Sequence, residues 1–65
     1  MTIEEKKHKY LMVAGYIQSK IDWISEETLR WAIYKADMEI FRRLGKSLLD
    51  IKWIKSFRGP LPRFN

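Results

Sequence analysis

The sequence predicts an all-α fold: two or three helices closing as a hairpin or small bundle, with an extended basic C-terminal tail. Three observations predict it. Apolar residues recur at helical spacing through two long segments, capping signals precede both, and no useful length alternates with the period of two that a half-buried strand requires. At 65 residues there is room for one domain, placed at residues 1–58 with 59–65 as the tail.

The first helix starts at Ile3. Thr2 and Glu5 form a T-x-x-E capping box, and acids in the first turn suit the positive end of the helix dipole. Ile3, Tyr10, Val13, Ala14, Ile17 and Ile21 then share one face, with Met12, Tyr16 and, if the helix reaches it, Trp23 opposite. Gly15 weakens this helix by roughly 1 kcal/mol relative to Ala. A break falls near residues 22 to 25, because Ser25 is placed as an N-cap. Glu26 and Glu27 follow it, and Ile24 and Leu29 bracket it as a hydrophobic staple.

The second helix runs from Glu26 to about Leu44 on a main face of Leu29, Ile33, Ala36, Ile40 and Leu44. Arg42 and Arg43 suit its C-terminal end, and Gly45 suits a stop. Beyond Gly45, Ser47 and Asp50 read as the cap of a third helix from Leu48 to about Phe57. The alternative is one helix continuing through Gly45, since Ile51 and Ile54 keep the phase of Ile40. Pro60 and Pro62 exclude helix from the tail, which is expected to be mobile and dispensable for folding.

Composition bounds the function. A chain this short buries only about 60% of its unfolded surface and needs dense packing, cross-links or association. It has no cysteine, and 46% of its residues are hydrophobic. The single histidine, His8, stands among Lys6, Lys7 and Lys9 and reads as a surface residue, so no metal and no cofactor are implied. "GKS" at 45–47 lacks the earlier glycine of a phosphate-binding loop, because Ile40 stands there. Asp37, between two apolar stripes, reads as a salt-bridged carboxylate. No nucleophile–base pair is visible, and no enzymatic activity is expected. The apolar run 10–17 after "KKHK" is too short to span a membrane and lacks a cleavage site, so a cytoplasmic location is the expectation.

The net charge is +5, from thirteen Lys and Arg against eight Asp and Glu. The acids interleave with the bases, and such a balance attracts nucleic acid, anionic membrane or acidic protein. The second helix, Gly45 and the expected third helix have the size of a helix-turn-helix. Its reading head would be Leu48, Leu49 and Asp50, which suit base edges poorly. Non-specific phosphate contacts are the alternative reading, with Arg42, Arg43, Lys46, Lys52, Lys55, Arg58 and Arg63 as candidates.

The stretch 25–40 with the later "LLD" loosely resembles the small helical haemolysin-expression modulators, at Ser25, Leu29, Ala36, Asp37, Leu48 and Asp50. These are common helix-forming types over less than half the chain, and no function is carried over from them.

The leading reading rests on a second stripe. Trp31, Tyr34, Met38 and Phe41 lie beside the aliphatic face of the second helix, and with Met12, Tyr16 and Trp23 they are Trp, Tyr, Met and Phe. Those types concentrate at protein interfaces. In a three-helix bundle they would pack on the third helix. A third helix of some ten residues is too small to cover them all, so a residual patch is expected. The chain therefore reads as a regulator or inhibitor that docks this stripe on a protein partner or on its own copy, as a homo-oligomer.

Overall fold

The computed structural model describes all 65 residues, Met1–Asn65. Two helices, α1 (Ile3–Lys20) and α2 (Glu26–Leu44), are followed by two strands, β1 (Lys52–Ser56) and β2 (Gly59–Arg63), paired as an antiparallel hairpin. The fold is α+β, which corrects the all-α, helical-bundle expectation.

Both helices begin where the sequence places them. The Thr2 hydroxyl accepts from the Glu5 amide, and the Glu5 carboxylate accepts from the Thr2 amide, both at 3.1 Å. Ser25 caps α2 by accepting from the Thr28 amide. At the far end Gly45 takes φ 75°, and its N–H reaches the Phe41 carbonyl at 2.8 Å. A left-handed residue there ends the helix and satisfies one of its last carbonyls.

The third helix does not form. Ser47 does not cap one. Its hydroxyl accepts from the Asp50 amide and donates to the Asp37 carboxylate at 2.8 and 3.0 Å. Asp50 is left-handed, with φ 52°, a conformation Asp tolerates better than most residues. The turn sends the chain into β1.

The tail is extended, as its prolines require, but it is an ordered strand. Lys55 pairs with Pro60 and Trp53 with Pro62. A proline has no N–H to give, so these are the non-hydrogen-bonded pairs of the ladder. Lys52–Arg63, Ile54–Leu61 and Ser56–Gly59 alternate with them as the bonded ones. The turn needs a positive φ, and Gly59 supplies it at 94°. Phe57 and Arg58 have none, which matches a type I turn closed by a left-handed glycine.

The core is small. Ala14, Leu29, Ile33 and Leu49 are buried, with Tyr10, Val13, Ile17, Ile24, Ile51 and Trp53 packed against them. On α2 the buried line runs Leu29, Ile33, Asp37 at intervals of four. Ala36 and Leu44, expected on the main face, are exposed.

Candidate functional site

Two contacts hold the hairpin on α2, and both begin at polar side chains. Arg30 donates from Nε to the Pro60 carbonyl and from Nη2 to the Arg58 carbonyl, each at 3.2 Å. Pro60 sits in a non-bonded pair, so its carbonyl points away from β1, and Arg30 covers that edge. Asp37 lies at the other contact. Besides the Ser47 hydroxyl it accepts the Trp53 indole N–H at 3.0 Å and, at 3.5 Å, the Leu49 amide. The expected salt bridge is absent: no Lys or Arg nitrogen lies within ion-pair distance of Asp37. Its acceptors are met by neutral donors, which fix the 45–53 segment to the middle of α2.

An aromatic chain fills the junction. Tyr34 stands edge-on to Trp53 at 5.3 Å between centroids, Trp31 edge-on to Tyr34 at 6.0 Å, and Tyr10 edge-on to Phe64 at 5.5 Å. Burial raises the Tyr10 phenol above its ordinary range; the nearby Arg30 opposes this and Glu26 adds to it. Gly59 lies so close to Trp31 that a Cβ would stand 2.7 Å from the indole nitrogen.

The candidate interface residues therefore separate. Tyr34 is half-buried under the hairpin. Trp31, Met38 and Phe41 stay 42%, 37% and 53% exposed on α2, despite the strands that replace the third helix. Met12 and Tyr16 are exposed on the face of α1 opposite Tyr10 and Ala14, with the Lys20 ammonium over the Tyr16 ring. Trp23 is exposed in the connection between the helices. No single surface collects all seven.

The candidate phosphate contacts also fall into two groups. Arg42 and Arg43 at the end of α2 both engage Glu39, at 3.4 and 3.0 Å, and Lys46 follows in the linker. Lys52, Lys55, Arg58 and Arg63 all belong to the hairpin or its turn. The interleaving of acids and bases stops at residue 50. Residues 1–50 hold nine Lys and Arg and eight Asp and Glu, for a net +1, whereas residues 51–65 hold four bases and no acid. None of these four makes an ion pair.

Lys52 and Arg63 are direct cross-strand partners, an opposition of like charges that costs stability. Beside them on the same face, Ile54 and Leu61 pair across the strands and are each about two-fifths exposed. At the turn Phe57 is 95% exposed with the Arg58 guanidinium over its ring. The hairpin thus presents bases at its open end, an apolar pair in the middle and an aromatic–guanidinium pair at the tip.

Arg30 is the residue that sequence reasoning misses. Glu26 four residues earlier offers it an ordinary helix-surface pair, and nothing local points to carbonyls thirty residues away. No three His, Asp or Glu side chains come together as a metal site, and no helix is long and apolar enough to cross a membrane. An open groove of about 770 Å³ runs between α1, the start of α2 and β2, past Tyr10, Ala14, Leu29 and Leu61. It holds no nucleophile–base pair. No protein-family model, curated protein or solved structure matches the chain.

Proposed function

We propose that this chain is a small non-enzymatic binding protein whose C-terminal hairpin grips the phosphate backbone of a nucleic acid. The observation that carries the reading is the segregation of charge. Four of the five net positive charges sit on residues 51–65 without a single acid. Lys52 and Arg63 are held side by side there at a cost that a bound anion would offset. A two-stranded ribbon is one of the elements a duplex major groove admits. An exposed aromatic beside a guanidinium is the platform on which an unpaired base stacks. The grip is non-specific, since backbone contacts carry no sequence information.

Fluorescence anisotropy with single-stranded and duplex oligonucleotides tests it. Four phosphate contacts give a slope of log affinity on log salt of roughly −3 to −4 on duplex. Lys52→Ala or Arg63→Ala should flatten that slope by about one, and Phe57→Ala should weaken the single-stranded probe more than the duplex. Affinity indifferent to salt, or to all three substitutions, would remove the hairpin from the interface.

A second reading has its own observation. Trp31, Met38 and Phe41 remain exposed beside one another on α2 although the strands could have covered them. Such a surface suits a regulator or inhibitor that docks on a protein. Pull-down at moderate salt separates the two readings, because an apolar interface survives salt that strips a phosphate contact.

A further inference from the structure

The aromatic and methionine stripe of α2, exposed at Trp31, Met38 and Phe41 and half-buried at Tyr34, has a symmetry of its own. At about 100° per residue Trp31, Tyr34, Met38 and Phe41 fall within an arc of roughly 80°. Trp31 and Phe41 stand equally far from position 36, one on each side, and so do Tyr34 and Met38. A second α2 laid antiparallel across the first brings Trp31 against Phe41 and Tyr34 against Met38, twice over. We propose that the occupant of this stripe is a second copy of the chain, joined α2 to α2 in antiparallel orientation. The proposal rests on the second reading above, that the stripe is a protein-docking surface, and is independent of the hairpin reading.

Charge fixes the orientation. Helix α2 opens on Glu26 and Glu27 and closes on Arg42 and Arg43, with Lys46 beyond. Glu26 and Glu27 have no ion-pair partner within the chain, and Glu27 lies within the same arc as the stripe. Antiparallel pairing sets this acidic turn beside the other copy's basic turn and aligns opposite ends of the two helix dipoles. Parallel pairing would set acid on acid and base on base.

Shape agrees. An open groove of about 520 Å³ lies between α2 and the hairpin, bordered by Trp31, Tyr34, Trp53 and Pro60. It flanks the N-terminal half of the stripe only. In the antiparallel arrangement the other copy's Met38 and Phe41 fall on that half, so each copy covers what the other leaves bare. The sheet edges suit association less well. Pro60 and Pro62 remove two outward donors from β2, Arg30 covers the Pro60 carbonyl, and Lys52 and Lys55 charge β1.

Sedimentation equilibrium of the full chain across the micromolar range tests the proposal. The expected mass is twice that of the chain. Phe41→Glu, at a residue exposed in the single copy, should weaken the dimer by roughly tenfold or more while the circular dichroism stays helical. Tyr34 and Met38 lie within about 20° of the centre of the arc and face each other across the antiparallel pair, and the chain has no cysteine. Mixed and mildly oxidised, Tyr34→Cys and Met38→Cys chains should therefore form a disulfide-linked dimer of one of each, and this readout does not depend on Phe41→Glu folding. A monomer at every concentration overturns the self-association and leaves the stripe to a foreign protein. A dimer indifferent to Phe41→Glu overturns the stripe as its interface, and a dimer whose Tyr34→Cys and Met38→Cys chains do not cross-link to each other overturns the antiparallel register.

Discussion

Residues 1–44 and residues 51–65 are held by partners at very different distances along the chain. The helix caps close over three residues, Thr2 with Glu5 and Ser25 with Thr28. The hairpin closes its own turn locally, but its place on the molecule is set by Arg30 reaching Pro60 and by Asp37 reaching Trp53. Charge divides the same way. The helical half is close to neutral, with bases interleaved among its acids, whereas the hairpin carries bases and no acid. One half is built from local rules, and the other is assembled on it and presents the charge.

If that division is real, the largest effect comes from removing half of the hairpin. Truncation after Arg58 deletes β2, takes away the buried Pro60 and with its carbonyl one of the two acceptors of Arg30, strips Phe64 from Tyr10 and leaves β1 unpaired. A lone strand has no independent stability. The loss should be several kcal/mol, on the order of the whole stability of so small a domain. Thermal melting of the truncated chain checks it. An unchanged melting temperature would show that the helical pair needs nothing from the hairpin.

The same division explains what the sequence makes legible. The helices announce themselves because caps, dipole acids and the Gly45 stop lie next to what they act on. The hairpin does not. Pro60 and Pro62 read as the loss of two donors, yet they occupy the two strand positions from which no ladder donor is required. Their spacing of two, with "FRG" before them, is the one local hint of a hairpin. Trp53 and Leu49 fit a helical phase as well as an extended one. The choice falls to Asp37 and Ser47, whose bond spans ten residues. On the surface, the residue types point to α2 as an exposed aromatic stripe, but only the fold separates Trp31, Met38 and Phe41 from Met12, Tyr16 and Trp23. The concentration of bases after residue 50 is plain in the sequence, though its meaning depends on the strands that set Lys52 against Arg63.

Asp37 is the hinge of the comparison and the next largest effect. Asp37→Ala leaves the Ser47 hydroxyl and the Trp53 indole without their acceptor in a buried place, a loss of about 2–4 kcal/mol. Asp37→Asn keeps one carbonyl oxygen but turns donors toward donors, and should fall between. Urea denaturation followed by the fluorescence of Trp53, with Trp23 and Trp31 replaced by Phe, and by far-ultraviolet circular dichroism separates the halves. For Asp37→Ala the fluorescence transition should come before the helical one. Coincident transitions would mean that the halves unfold as one unit.

Two glycines give a sharper contrast at smaller amplitude. Gly59→Ala forces a left-handed alanine and drives its Cβ into Trp31, at a cost of roughly 1–3 kcal/mol. Gly15 sits mid-helix with nothing within 4 Å of the added carbon, so Gly15→Ala should stabilise by up to about 1 kcal/mol. The two melting shifts should have opposite signs. Shifts of the same sign would remove either the Trp31 contact or the helix at Gly15.

The smallest effects are those of pH, and they probe the halves from opposite ends of the scale. The Glu5 carboxyl is held below its ordinary value, first by the bond it accepts from the Thr2 amide and then by the Thr2 side chain. Its ionised form is favoured in the folded chain, so its contribution is complete above the unfolded carboxyl pKa. It is lost as pH falls through the folded one. Acid should therefore fray the first turn of α1. Tyr10 behaves in reverse. Burial beside Trp53 and Phe64 raises its phenol, so its contribution is complete below the unfolded value near 10 and is lost as pH rises through the folded value. Alkali should loosen the contact between α1 and the hairpin before it disturbs either helix. Tyr10→Phe keeps the ring and removes the ionisation. Thermal melts from neutral to strongly alkaline pH should show the wild-type chain losing stability relative to Tyr10→Phe. Parallel curves would place the Tyr10 hydroxyl in solvent.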